Sequence, residues 1–263
     1  MNEELKRHVV MLLTQDKRLD GRKSTDYRQP ISIEPGFVGT AEGSAKVTMG
    51  ETEVIVGIKM EVGTPYPDRP DEGTIICGAE LLPMSNPEFE AGPPGIQAVE
   101  LARIVDRGIR ESKTVDFKEL CIKEGEKVWL ILIDIVTLND DGNLFDASAL
   151  AAYAALKNAV FPSFDGEKID YSKKTDKKLK LRNVPLSVTI CKIGERYLVD
   201  PTTEEEKVTD ARLTVASIED GTICALQKGG EAPLSVDDVT KMIDIGIEKA
   251  KELRGVLNAV HKI

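Results

Sequence analysis

The chain has 263 residues, 41% of them hydrophobic and 30% charged, which is typical of a soluble globule that buries a full core. Its 45 acidic residues outnumber 35 basic ones, and the formal charge of -10 repels polyanions at long range. This balance excludes a generally basic nucleic-acid-binding surface, so any such contact must be local or shared with a more basic partner.

The first part of the chain predicts a helix followed by a meander of strands. Segments rich in β-forming residues are separated by Gly, Glu and Thr, and Gly92-Pro-Pro94 precedes a segment of helical period. The predicted elements are a helix at 2–13, strands at 30–33, 43–49 and 53–62, a proline-rich loop at 65–70 and a helix at 95–110.

The most apolar segment, 128–138, shows no alternation, which predicts a central strand covered on both faces. Asp134 within it is expected to be a buried, hydrogen-bonded polar group rather than a catalytic one. Asp146 is predicted to cap an alanine-rich helix at 147–160. The second part predicts strands near 185–193, 196–200, 211–218 and 222–227.

A capping box of Ser235 and Asp238 opens the last predicted helix. Its residues at intervals of three and four are apolar or small, which is typical of core packing, with a partner-facing seam as the alternative. The stripe consists of Val236, Val239, Ile243, Gly246, Ala250, Leu253, Leu257 and Val260.

Pro30-Ile-Ser-Ile33 and Pro185-Leu-Ser-Val188 each precede two strands, which predicts two similar halves. We expect an α+β fold in which helices pack on the sheets of two mixed β/α halves. The predicted boundaries are an N-terminal helix and loop at 1–20 and one domain at 21–263, with halves at 21–165 and 182–263 joined by a lysine-rich connection at 166–181. This connection is interpreted as flexible and solvated, with a nucleic-acid-binding patch as the alternative.

The four cysteines lie far apart, mostly in strand-like segments, which predicts reduced and buried thiols. The first residues are amphipathic rather than a signal peptide, and the apolar run 128–133 is too short to cross a bilayer. We therefore expect a cytoplasmic protein without a membrane partner.

Most familiar catalytic devices are absent from the sequence. The two histidines, His8 and His261, lie near opposite ends, which excludes a histidine-based triad or a three-histidine metal site within the chain. Carboxylates and cations remain, and these are the groups used in phosphoryl transfer and metal-assisted reactions. The acidic turn 140–142 opens a helix, a suitable place for an anion, but Leu144 and Phe145 follow it.

Several motifs, in this order along the chain, resemble those of the RNase PH family. They are Arg18-Leu-Asp-Gly-Arg22, Gly43-Ser-Ala-Lys-Val47 with the strand 52–58, Glu100 after Gly-Pro-Pro-Gly95, Asp141-Gly142, and Val199-Asp-Pro-Thr-Thr-Glu-Glu-Glu206. The resemblance extends from Arg18 to the last helix and implies an RNase PH-like (ribosomal protein S5 domain 2-like) fold. Within the family, 92–110 and 125–129 are similar to the non-catalytic RNase PH-like subunits of archaeal exosome cores.

This resemblance implies a hexameric ring, a trimer of heterodimers, in which the chain alternates with a catalytic RNase PH-like subunit. Such a ring carries RNA-binding cap subunits and degrades single-stranded RNA from its 3′ end by phosphorolysis. The catalytic partner would use inorganic phosphate and Mg²⁺, and we expect no cofactor or metal in this chain.

Comparison with catalytic family members implies that the active site is degenerate here. Leu144 and Phe145 stand where those members have a Ser or Thr followed by a phosphate-binding Arg, and apolar side chains offer no charge-assisted hydrogen bonds. Gln97 falls at the position of another phosphate-binding arginine. Glu206 and Arg212 correspond to two aspartates, and a guanidinium there would repel Mg²⁺. We therefore expect no catalytic residue in this chain.

Arg103, Arg107 and Arg110 share one face of the predicted helix with Glu100. A solvated face with an Asp106–Arg110 pair is one interpretation. The resemblance favours the other, in which the arginines bind RNA phosphates beside the partner's active site. Arg69 in the proline-rich loop is a further candidate for RNA in the central channel, weakened by two flanking aspartates.

Two other functions are compatible with the sequence. The chain could be a phosphate-dependent 3′-to-5′ exoribonuclease in its own right, using Glu206 and a displaced set of cations. It could also be an acidic assembly scaffold that makes no contact with RNA.

Overall fold

Two sheets and the helices packed on them form the core of the protein, for which a computed structural model describes residues 3–260. The strands are β1 (Ile31–Pro35), β2 (Gly43–Met49), β3 (Thr52–Gly63), β4 (Thr74–Glu80), β5 (Cys121–Lys123), β6 (Lys127–Asn139), β7 (Val160–Phe164), β8 (Ile169–Lys178), β9 (Leu186–Ile193), β10 (Arg196–Val199), β11 (Ala211–Ser217) and β12 (Ile223–Gly229). The helices are α1 (Glu3–Leu13), α2 (Ile96–Glu111), α3 (Leu144–Lys157), α4 (Thr203–Glu206) and α5 (Val236–Val260). The predicted helix start at Asn2 lies outside the described residues, as does His261.

The first sheet has the order β1-β2-β3-β6-β4, with β5 added beside β6. Strand β4 runs parallel to β6, and the other pairs are antiparallel. The second sheet, β10-β9-β11-β12, is antiparallel throughout. The predicted α+β class, with helices on the sheets of two mixed halves, is confirmed.

Helix α3 packs against β2 and β3 of the first sheet and against β9 of the second. Its alanines make this double contact possible because small side chains let the backbones approach closely. At Gly43 on β2, an added Cβ would lie 2.4 Å from the carbonyl oxygen of Ala155, so only glycine fits. The alanine-rich segment therefore joins the two halves around one core.

Helices α2 and α5 cover the outer layers of the two halves. Helix α2 packs on β4 and α3, and α5 packs on β9 and β11. The predicted capping box opens α5, because the Ser235 hydroxyl accepts from the Asp238 N–H and the Asp238 carboxylate accepts from the Ser235 N–H at 2.8 Å. Along the predicted stripe the middle residues are buried, whereas Val236 is exposed. No helix in the described chain has the length and apolarity needed to cross a membrane.

Strand β6 is central, but the prediction that both of its faces are covered was wrong. Its residues alternate between the buried core and a partly exposed outer face, and Asp134 is exposed on that outer face. The predicted buried role of Asp134 is therefore also wrong. Leu130, Leu132 and Val136 are apolar but only half-buried on the same face, which is why the sequence showed no alternation.

The predicted cap of α3 was also wrong. The helix begins at Leu144, and its N-cap is Asn143 in a left-handed conformation with φ of 58°. Asp146 lies inside the first turn, fully buried, and accepts a hydrogen bond from the Thr189 N–H at 2.8 Å. Burial raises the pKa of Asp146 to about 7. The carboxyl therefore fastens the start of α3 to β9 instead of capping the helix.

The lysine-rich connection is more ordered than predicted. Residues 160–178 form an antiparallel β-hairpin of β7 and β8, and most of β8 is exposed. The interpretation as solvated is therefore confirmed for β8, whereas the hairpin itself was not predicted. Strands β4 and β5 were also missing from the sequence analysis.

All four cysteines are free, as predicted. Cys191 is buried, and the other three are partly buried. Burial raises the pKa of Cys77 and of Cys191 to about 12, so both thiols are protonated at neutral pH.

A buried ionic hub at Asp200 joins the segment before β1 to both halves. The Asp200 carboxylate is inaccessible to solvent and accepts hydrogen bonds from the Arg28 N–H at 2.6 Å, its Nη2 at 2.8 Å and the Asn143 amide at 2.9 Å. The Arg28 Nη2 also donates a hydrogen bond to the Gly142 carbonyl at 2.9 Å. Burial opposes ionisation of Asp200, but the hydrogen bonds and charge of Arg28 hold its pKa below the usual value.

Replacing Arg28 by methionine should lower the free energy of unfolding by up to about 3 kcal/mol, because among the described residues it leaves Arg22, at 2.9 Å, as the remaining cationic partner of the buried Asp200 carboxylate. Urea denaturation measures this loss. The matched control is Arg7→Met on the exposed face of α1, which should change stability by less than about 0.5 kcal/mol.

The loss caused by Arg28→Met should depend on pH. Because the pKa of Asp200 is lowered in the folded state, its contribution is present above the unfolded pKa and disappears as pH falls through the folded value. The difference between wild type and variant should therefore shrink in acid. A difference that is equal at all pH values, or equal to that of the control, would contradict the role of the hub.

Candidate functional site

A cavity of about 440 Å³ lies where the two halves meet. It is bounded by the beginning of α2, the turn before α3, helix α4 and strands β9 and β11. The structure brings together around this cavity all five positions that the sequence analysis named as degenerate. They are Gln97, Leu144, Phe145, Glu206 and Arg212.

The acidic turn between β6 and α3 forms one wall of the cavity. The Asp140 carboxylate accepts from the Gly142 N–H at 2.9 Å and from the Asn86 amide at 2.8 Å. Gly142 has a φ of 95°, and an added Cβ would lie 2.4 Å from the Pro201 carbonyl oxygen, so this position requires glycine. The close approach of Gly142 to Pro201 holds the start of α3 against the segment that leads into α4.

Arg212 enters the cavity from β11 and is engaged by the protein itself. Its guanidinium forms an ion pair with Glu100 of α2 at 2.6 Å and lies 5.0 Å from the centroid of the Phe145 ring. A carboxylate and an aromatic face are both attractive surroundings for a guanidinium. All three residues stand out in the sequence, but their mutual contact was not predicted.

Glu206 is accessible from the cavity and accepts a hydrogen bond from the Asn143 N–H at 2.8 Å. Burial among surrounding protein atoms raises the pKa of Glu206 to about 7, and the charge of Asp140 acts in the same direction. Solvent nevertheless reaches this carboxyl, which lies at the end of α4 on the wall of the cavity.

The charges around the cavity are unfavourable for an anion. Four carboxyl side chains line it, those of Glu88, Glu100, Asp140 and Glu206, against the cationic groups of Lys207 and Arg212. Lys207 is paired with Glu88 at 2.7 Å, as Arg212 is with Glu100. Both cations thus already have a carboxylate partner, and Leu144 and Phe145 add only apolar surface at the helix N-terminus.

No group of three or more His, Cys, Asp or Glu side chains within residues 3–260 is arranged as a set of metal ligands.

The three arginines of α2 lie outside this cavity and differ from one another. Arg103 and Arg107 are exposed and line a shallow hollow of about 210 Å³. Arg107 donates to the Gln227 side chain at 2.9 Å, whereas Arg103 has neither a hydrogen bond nor an ion pair among the described residues. Arg110 is half-buried, bonded to Asp106 at 2.8 Å and to the Ile75 carbonyl at 3.0 Å. The alternative of an Asp106–Arg110 pair is therefore confirmed.

Arg69 lies on the predicted loop, in a turn where its N–H donates to the Tyr66 carbonyl at 3.0 Å. Its side chain is 64% exposed and has only loose ion pairs, with Asp68 at 3.9 Å and Glu72 at 3.8 Å. The side chain is therefore available to solvent but surrounded by negative charge.

Two sheet-and-helix halves therefore meet at a cavity that receives the N-terminus of α3. Residues 28–162 match the 3′ exoribonuclease family, domain 1, and residues 183–249 match domain 2 of that family. The chain belongs to this family, the RNase PH family, and the predicted RNase PH-like fold is confirmed.

Similar proteins include an exosome complex component Rrp42 from Methanosarcina mazei. It is 46% identical over 254 residues, which cover 95% of this chain and 92% of that protein. A chain in the structure "archaeoglobus fulgidus exosome with RNA bound to the active site" superposes with a TM-score of 0.89 at 45% identity, covering 96% of this chain and 97% of the other. A chain of an "Archaeal exosome core" gives a TM-score of 0.84 at 43% identity, with coverages of 96% and 95%.

The isolated chain should not bind inorganic phosphate, because the cavity is acidic and both of its cations are paired. Isothermal titration calorimetry with phosphate should give only the heat of dilution, as in a chloride titration at equal ionic strength. Saturable binding that disappears in Arg212→Gln would show that the cavity still holds an anion.

Proposed function

We propose that this chain is the non-catalytic subunit of an archaeal exosome core, which structures the active site of a catalytic RNase PH-like partner and helps to hold RNA. The observation that carries the proposal is the altered cavity. The chain keeps the family fold, and its cavity is lined by Leu144, Phe145 and the self-paired Arg212, which the family resemblance matches to phosphate- and metal-binding positions of catalytic members. Similarity to proteins named exosome complex component Rrp42 supports the same assignment.

In this proposal the chain alternates with its catalytic partner in a hexameric ring, a trimer of heterodimers, that carries RNA-binding cap subunits in the cytoplasm. The partner supplies the chemistry, with inorganic phosphate as nucleophile and Mg²⁺ to neutralise developing charge. Single-stranded RNA is then shortened from its 3′ end as nucleoside diphosphates. This chain contributes cationic groups and a fixed surface next to the partner's site.

The RNA contacts of this chain are assigned to α2 in the proposal. Arg103 and Arg107 are exposed and have few or no internal partners, so their guanidinium groups are available for phosphates. Arg110 contributes mainly by holding α2 against β4, through its bonds to Asp106 and Ile75. Arg69 would make a further contact with RNA in the central channel of the ring.

The first test compares three samples: the pure chain, the pure catalytic partner and their mixture. Phosphate-dependent release of nucleoside diphosphates from oligoadenylate should be absent for the pure chain and highest for the mixture. Release by the pure chain, at a rate proportional to its concentration and lost in Glu206→Gln, would instead establish an enzyme in its own right. A mixture no more active than the partner alone would also contradict the proposal.

The second test concerns the arginines. In the assembled ring, Arg103→Ala with Arg107→Ala should weaken RNA binding and make the slope of log affinity against log salt shallower by about 1.4, or 0.7 for each lost phosphate contact. Unfolding free energy should change by less than about 0.5 kcal/mol, because both side chains are exposed. Fluorescence anisotropy and urea denaturation measure the two effects.

Arg110→Ala should instead lower stability, by about 1 kcal/mol, through the lost hydrogen bonds to Asp106 and Ile75. The matched control for the double variant Arg103→Ala with Arg107→Ala is Arg7→Ala with Arg196→Ala. This control also removes two positive charges, but from exposed positions elsewhere on the protein. An equal loss of RNA affinity in this control would mean that net charge alone, and not α2, determines binding.

A further inference from the structure

Strand β8 and the residues after it carry an excess of positive charge on an acidic protein. Residues 168–182 contain seven Lys or Arg and two Asp, the β7–β8 turn before them carries Asp165 and Glu167, and the whole chain has a formal charge of -10. Like-charged side chains repel one another, so a local excess of this kind is favourable when an anionic partner is bound. The proposed function does not use this surface.

The lysines of residues 168–182 fall into two groups. Some are committed to the protein, since Lys174 donates to the Ala41 carbonyl at 2.7 Å and Lys180 pairs with Glu119 at 3.1 Å. The other four lysines are exposed. Three of them have no carboxylate partner within 4 Å in the described chain, and Lys173 has only Asp170, at 3.4 Å. This second group consists of Lys168, Lys173, Lys177 and Lys178.

Aromatic rings accompany these lysines. Tyr171 is 45% exposed on β8, and the Lys59 ammonium lies 4.3 Å from its ring centroid. Lys177 lies 4.6 Å from the centroid of Phe161 on β7. Cations spread along a strand with an exposed ring beside them are the combination that binds single-stranded nucleic acid, where phosphates meet the cations and a base stacks on the ring.

The edge of the hairpin suits an extended chain. Among the described strands, β8 pairs only with β7, so its other edge is open. From Lys173 to Lys178 the strand covers about 17 Å, which allows contact with several successive phosphates. An open edge rich in lysine also protects a protein against edge-to-edge aggregation, which is the competing explanation.

We propose that the exposed edge of the β7–β8 hairpin is a second, sequence-independent binding surface for single-stranded RNA, with phosphates on Lys168, Lys173, Lys177 and Lys178 and a base on Tyr171. The inference rests on the proposed function, since RNA is the polyanion that the assembled ring would handle. The hairpin would act in addition to the α2 arginines and would hold a different part of the strand.

The test uses the assembled ring and a fluorescein-labelled oligoadenylate in anisotropy titrations over a range of salt concentrations. Replacing the four lysines by glutamine should make the slope of log affinity against log salt shallower by about 2 to 3. Tyr171→Leu should weaken binding by about fivefold or more without changing that slope, because it removes stacking and no charge. The matched control replaces four other exposed lysines by glutamine: Lys17, Lys23, Lys241 and Lys251.

Unchanged affinity and slope in the hairpin variant would overturn the inference, as would the same loss in the control. Self-association of the hairpin variant in light scattering, with RNA binding intact, would assign the lysines to edge protection instead. Loss of a cap subunit from the ring without a change in RNA slope would assign them to a protein partner.

Failure of the inference can be told apart from failure of the proposed function. If the wild-type mixture degrades RNA and the α2 variant binds it weakly, but the hairpin variant behaves as wild type, only the inference fails. If the wild-type mixture neither binds nor degrades RNA, the proposed function fails first.

Discussion

The hydrogen-bonded ion pair of Arg28 and Asp200 is the constraint on which the arrangement of the two halves depends. A buried carboxylate is costly unless each of its lone pairs is satisfied, and here the donors come from separate parts of the chain. The segment before β1, the turn before α3 and the segment after β10 must all be in place together. Because Asn143 belongs to this hub and also donates to Glu206, the hub positions one wall of the cavity.

The hub lies beside the cavity and not in it, so the side chains that line the cavity can differ without disturbing the hydrogen bonds that join the two halves. Arg212, Glu100 and Phe145 satisfy one another across the cavity, so a guanidinium among carboxylates is not left unpaired. This cluster preserves the shape of the joint between α2, α3 and β11, which is the surface that a neighbouring subunit would meet.

Sequence patterns predicted those elements whose periodicity directly reflects burial, such as β2, β3, β9 and α5. The sequence patterns failed where the periodicity of apolar residues and the burial of the side chains differ. Strand β6 is apolar on a face that is only half-buried, and β8 is a strand whose polar residues give no alternating signal. The five degenerate positions were found through family resemblance, and their common cavity could not be deduced from spacing. The pairing of Arg212 with Glu100 joins distant parts of the chain, so no local pattern encodes it.

Helix α2 shows how the different sides of one helix can serve several purposes. Its beginning contributes Gln97 and Glu100 to the cavity, its buried side packs on β4 and α3, and its outer side presents Arg103 and Arg107. Helical periodicity predicts that Arg110 lies on the same face as Arg103 and Arg107. In the structure its guanidinium instead donates hydrogen bonds to Asp106 and to the Ile75 carbonyl. Since a packed helix is rigid, the cavity and the free arginines keep a fixed separation. A strand of RNA held by those arginines would therefore be held at a defined distance from any active site that a partner places beside the cavity.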